Sequence, residues 1–137
     1  MLSAVLLACA AQNSTADCPQ QRSTIKAPDD LYGLSNPERA TAERIALGRK
    51  LYEKAANPAC EVCHGLKGDG NGTLATQFLP RPRNFACAEM LDEIPDGQLF
   101  WIIRNGSPDT AMPAYKKLTD AQIWQIILYL RTLAKPK

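Results

Sequence analysis

Residues 60–64 read CEVCH, Gly65 follows, and His64 is the only histidine of the chain. Two thiols three positions apart, with a histidine directly after the second, leave few chemistries open. A zinc module uses such a pair, but it needs four ligands. Cys60, Cys63, His64 and Cys87 count to four, yet adjacent Cys63 and His64 rarely both reach one tetrahedral ion, and no second close pair exists. Dithiol exchange needs a strand before the pair and a helix opening at its first cysteine. Here a helical pattern precedes the pair and glycines follow it.

The chain has 137 residues, one domain's worth. Hydrophobic residues make up 45% and charged residues 22%, a soluble globular composition. A net charge of +2 without a basic run argues against a nucleic-acid partner. No apolar stretch approaches the roughly 20 residues that span a bilayer. Residues 1–8 are apolar and read as part of a secretory signal. Leu6-Leu7-Ala8-Cys9 resembles the cleavage box of bacterial lipoproteins, which implies a lipid on Cys9. Residues 9–35 are polar, lack a helical or strand period, and read as a tether; the globular part is 36–137.

Within that part the pattern is all-α. Ser35-Asn36-Pro37-Glu38 predicts a helix start, with a cap, a proline at the first position and an acid near the positive end of the dipole. That helix is expected to stop at Asn57-Pro58. A short helix is expected within Thr73 to Phe78. Two prolines make 79–83 extended. Asp96 is expected to cap a helix ending at Asn105-Gly106. Thr119-Asp120-Ala121-Gln122 is a capping box opening a last helix to about Leu133, with Ile123, Ile126, Ile127, Leu130 and Leu133 on an apolar stripe. Loops as long as the middle ones are unusual in a small domain unless something fills the space between them.

A flat apolar cofactor would fill it, and covalent haem uses every element of CEVCH. Each thiol adds to a vinyl group and the histidine sits under the iron. The sequence resembles the class I c-type cytochromes, especially small bacterial ones with one haem, over roughly residues 36–134. The likeness rests on ALGRKLYEKAANPACEVCHGLKGDGNGT, LPRPRNF, NGSPDTAMPAYKKLTD and IWQIILYLRTL. It implies a cytochrome c fold: first and last helices crossing, with a loop-rich middle wrapped round one covalent haem c. Gly48 and Tyr52 match the family's packing positions on the first helix, and Tyr129 matches the aromatic of the last.

The resemblance also implies a ligand set. His64 and Met112 would be the axial ligands, and Cys60 and Cys63 would hold the haem. Met90 is read as packing. The family places a proline carbonyl on the second nitrogen of the histidine; Pro80 is the first candidate, with Leu79 and Pro82 as rivals. Arg81, Arg83, Asn84, Trp101 and Arg104 are candidates for the haem propionates. With Cys9 lipidated and two cysteines on haem, Cys18 and Cys87 remain for a disulfide, allowed outside the cytoplasm. The function implied is single-electron transfer without catalysis. Redox partners would dock at the exposed haem edge, and Glu89, Asp92, Glu93 and Asp96 form a candidate docking stretch. The place implied is the periplasmic or outer face of a bacterial membrane. Two alternatives are a haem c subunit of a larger dehydrogenase or respiratory complex and a haem domain that binds a small ligand.

Overall fold

The computed structural model describes residues 17–134. Its helices are α1 (Asp29–Tyr32), α2 (Ala42–Lys50), α3 (Glu61–His64), α4 (Ala88–Leu91), α5 (Asp96–Asn105) and α6 (Asp120–Leu133). Helix α2 widens into a π-helical stretch over Leu51–Ala55, and a 3-10 turn spans Ala75–Gln77. No strand occurs among the described residues. The expected signal at 1–8 and Cys9 lie outside them.

Helix α6 begins at the expected capping box. Thr119 Oγ1 accepts from the Gln122 backbone N–H at 3.2 Å, and Gln122 Oε1 accepts from the Thr119 N–H at 2.9 Å. Two donors that a helix start leaves unpaired are thereby satisfied. Helix α2 starts later than its proline suggests. Thr41 is its cap, accepting from the Arg44 N–H at 3.2 Å. Asn36 does other work: its side chain donates to the Trp124 carbonyl at 2.9 Å and accepts from the Glu38 N–H. Asp96 is likewise not the cap of α5, whose cap position is Pro95. Its carboxylate takes the Arg131 guanidinium at 2.6 Å and the Asn36 N–H. Asp96 therefore has a part in the frame of the fold.

Helices α2 and α6 make the main crossing. A Cβ on Gly48 would lie 1.9 Å from the Gln125 carbonyl oxygen, so the helices are closer than any side chain at that point allows. One turn on, Tyr52 meets Tyr129 edge-on, with centroids 5.3 Å apart. The Tyr52 hydroxyl donates to the Gly65 carbonyl at 2.7 Å, which ties this crossing to the end of α3. Helix α5 closes the core through Phe100, stacked on Trp124 with centroids 4.3 Å apart.

The segment read as a tether is held against the domain from residue 18 onward. Cys18 and Cys87 form a disulfide. Ala27 is buried, its N–H donates to Gln98 Oε1 at 2.7 Å, and Gln98 Nε2 donates to the Ile25 carbonyl at 2.9 Å. A Cβ on Gly97 would lie 1.8 Å from the Leu31 carbonyl oxygen, so this segment touches the start of α5 backbone to backbone. Apart from the disulfide, these contacts all engage main chain and impose no apolar period. A polar composition therefore hides them.

Gly48→Ala is expected to lower stability by about 1–3 kcal/mol or more, because the new methyl meets backbone and not a flexible side chain. Gly33→Ala, where nothing lies within 4 Å of a new Cβ, is the control. Thermal melts of the two proteins check this, with a clear fall for the first and little change for the second.

Candidate functional site

Helices α3, α5 and α6 and the loops between them enclose a largely apolar cavity of about 540 Å³. That volume suits a small organic ligand or cofactor. Cys60, Cys63 and His64 line it from the α3 side, and Met112 and Tyr115 from the loop before α6. Phe85, Leu99, Ile103, Ile126 and Leu130 supply apolar wall. The long middle loops thus surround a space that the chain's own side chains leave open.

His64 is buried at 9% exposure, and its ring stacks on Phe85 with centroids 4.5 Å apart. Its Nδ1 lies 3.0 Å from the Arg83 carbonyl oxygen. A carbonyl only accepts, so Nδ1 carries the proton and Nε2 keeps its lone pair. Burial pushes the His64 pKa down to about 4, with that hydrogen bond acting in the opposite direction. The ring is therefore neutral near pH 7, the form that binds a metal. The acceptor is Arg83, not the Pro80 carbonyl expected from sequence.

The reason lies in how the loop 79–84 is held. Arg22 Nη1 donates to the Arg81 carbonyl at 3.0 Å, and Gln20 Nε2 to the Pro82 carbonyl at 3.0 Å. Gln20 Oε1 also accepts from the Asn84 N–H at 2.9 Å. Three consecutive carbonyls, of Arg81, Pro82 and Arg83, thus accept from Arg22, Gln20 and His64 in turn. Pro80 and Pro82 contribute no N–H, so at those two positions the main chain offers only an acceptor. Which of them faces the histidine is fixed by Gln20 and Arg22, in a segment whose sequence gave no sign of docking.

The thiols differ from those of an exchange enzyme. Burial pushes Cys60 up to about 12 and also raises Cys63. Neither is the low-pKa nucleophile that dithiol chemistry uses. A four-ligand metal site fails as well, because Cys87 is spent in the disulfide.

Of the other expected residues, Pro80, Arg81 and Arg83 line the cavity, whereas Trp101, Arg104 and Asn84 do not. Arg104 turns to the start of α6, where it donates to the Leu118 carbonyl at 2.9 Å and pairs with Asp120. The Trp101 carbonyl accepts from the Asn105 side chain at 2.9 Å. Asn84 accepts from the Ala86 N–H at 3.0 Å, shaping its own turn. Met90 does line the cavity, and its sulfur accepts from Arg83 Nη1 at 3.2 Å. Sequence reasoning missed Gln20, Arg22 and Thr24, all on the cavity wall, because they lie in the supposed tether.

A family model described as Cytochrome c matches residues 45–134. Among solved structures, a chain of the Kuenenia stuttgartiensis reducing HAO-like protein complex Kustc0457/Kustc0458 is similar, with 26% identity and a TM-score of 0.65. The match covers 84% of this chain and 53% of that one, so this chain spans about half its length. The c-type cytochrome SorU from Sinorhizobium meliloti matches at 22% identity and a TM-score of 0.49, covering 69% of this chain and 94% of that one. No curated protein matches. The matched residues contain the thiol pair, His64, Met112, all of α6 and the part of α2 that carries Gly48, and the chain belongs to the cytochrome c family, whose members transfer electrons through a covalently bound haem c.

Proposed function

We propose that this protein is an extracytoplasmic single-electron carrier in which His64 and Met112 would hold the haem iron. The observation that carries the reading is the fixed tautomer of His64, which leaves Nε2 available in a cavity also lined by the Met112 thioether. The remaining residues fit the group. Cys60 and Cys63 are free thiols beside that ring. When bound, haem c supplies an iron that gains and loses one electron.

The chain's own residues set the conditions. The Met112 N–H donates to Thr110 Oγ1 at 3.1 Å, and the Met112 carbonyl accepts from the Ser107 N–H at 3.2 Å. Tyr115, three residues on, donates from its hydroxyl to the Pro58 carbonyl at 2.8 Å. A loop held this way loses little further freedom when its thioether takes a metal. Met90 is the weaker candidate, since Arg83 already occupies its sulfur. A thioether ligand raises the reduction potential. Arg81 and Arg83 are suited to the haem propionates, and planar guanidinium matches carboxylate.

Electron exchange is assigned to the haem edge beside Cys60 and Cys63, where redox partners dock. Leu66, Leu74 and Leu79 support this, since they are exposed large apolar side chains in the loops that follow the motif. The Leu74 N–H donates to the Val62 carbonyl at 2.9 Å, which holds it close to α3. Such docking is small and transient. The lipoprotein-like box adds a membrane anchor at Cys9, on the periplasmic or outer face. A second reading, a haem subunit of a larger assembly, draws support from the Kuenenia stuttgartiensis chain, which belongs to a protein complex. Native co-purification from membranes separates the two, since a carrier leaves its partners on mild washing and a subunit does not.

Denatured, acid-extracted protein is expected to keep its haem. Cys60→Ser or Cys63→Ser leaves at most one thioether, and haem that extracts freely from the intact protein contradicts the assignment. The ferric protein is expected to show the weak charge-transfer band of a methionine–iron bond. Met112→Ala removes that band, lowers the potential and opens the iron to small ligands, whereas Met90→Ala keeps the band. The reverse pattern would move the ligand to Met90. Mass spectrometry of the mature N-terminus is expected to find acylated Cys9; an unmodified start beyond Cys9 excludes the anchor.

A further inference from the structure

Two of the cations on the cavity wall lack a counter-charge. The Nε of Arg22 is buried and has no hydrogen-bond partner. Arg83 spends its guanidinium on the neutral Thr24 hydroxyl, at 2.7 Å, and the Met90 sulfur, at 3.2 Å. Neither arginine pairs with a carboxylate among the described residues. The acid on the same wall, Glu93, is exposed and joins no ion pair. Both arginines are half-buried. Like charges held together and partly dehydrated call for an anion.

The segment that brings Arg22 there is fixed at both ends. At one end stands the Cys18–Cys87 disulfide. At the other are the Gln98 clamp on Ile25 and Ala27 and the backbone contact at Gly97. Gln20 and Arg22, between them, hold the loop 81–84. Cys87 is 3% exposed, but Cys18 is on the surface, so a thiolate can approach the bond from that side.

We propose that residues 18–34 are a disulfide-latched strap that closes one side of the haem cavity and delivers Arg22, with Arg83, as the counter-charge of the haem propionates. The inference rests on the haem reading above. Opening the latch requires two electrons and two protons from a dithiol: the Cys18–Cys87 bond becomes two thiols and the dithiol becomes a disulfide. The released strap withdraws Arg22 from the cavity wall. A propionate left without its cation stabilises ferric over ferrous iron, so the potential falls.

Spectroelectrochemistry of the purified holoprotein tests this at fixed pH and salt. Arg22→Gln is expected to lower the midpoint potential, and Arg104→Gln, which removes the same charge away from the cavity, leaves it nearly unchanged. Cys18→Ser/Cys87→Ser also lowers it, and Arg22→Gln added to that background shifts it by less than half as much as in the latched protein. Wild-type holoprotein treated with a dithiol covers the case of a variant that does not fold. Its potential falls, and tryptic cleavage after Arg22 and Lys26 speeds several-fold. An unchanged potential in Arg22→Gln, or a shift of equal size with and without the disulfide, overturns the proposal. The methionine–iron band is recorded in every sample. Its absence from the wild type refutes the ligand reading, whereas a normal band with an indifferent Arg22 refutes the strap alone.

Discussion

The site depends on a row of three carbonyls. Those of Arg81, Pro82 and Arg83 accept from Arg22, Gln20 and His64. A proline-rich loop has few N–H donors and cannot fold onto itself through a backbone ladder, so other parts of the chain must hold it. The N-terminal segment does so, and the last carbonyl in the row then fixes the ring of His64. One hydrogen bond of 3.0 Å decides which nitrogen is free to meet a metal. Such outer contacts orient a ligand and tune its basicity.

Around that row the helices leave a space. The α2/α6 crossing is tight because Gly48 lets main chain meet main chain, and Tyr52 carries it to α3 through the Gly65 carbonyl. The same helices place Ile126 and Leu130 on the cavity wall. A domain of this size gains its stability from one continuous core. Here the helices and loops close around a volume meant for another molecule. The long middle loops and the apolar cavity are two aspects of one design, in which the cofactor completes the core.

The parts legible in sequence were those with local signals. The capping box at Thr119 is a four-residue pattern with one physical meaning, and it stands where expected. CEVCH and the helix stop at Asn57-Pro58 are of the same kind, whereas the place of Gly48 at the crossing came from the family resemblance. The misread parts depend on distant contacts. Pro37 suits a first helical position, but Asn36 is drawn to the Trp124 carbonyl, so the helix waits for Thr41. Trp101 and Arg104 suit a propionate in isolation, yet their rotation on α5 turns them off the cavity wall, and Arg104 finds Asp120 instead. Arg22 was invisible because a polar segment bound by side-chain-to-carbonyl bonds shows no periodicity.

The proposal that most needs a test is that His64 and Met112 would both hold the iron, which would leave the protein to carry electrons and admit no other ligand. Exposing the dithionite-reduced holoprotein to carbon monoxide while recording its spectrum tests this most directly. The account predicts an unchanged low-spin ferrous spectrum. A rapid, stoichiometric conversion to the carbon monoxide complex would show an open or easily vacated position and contradict it.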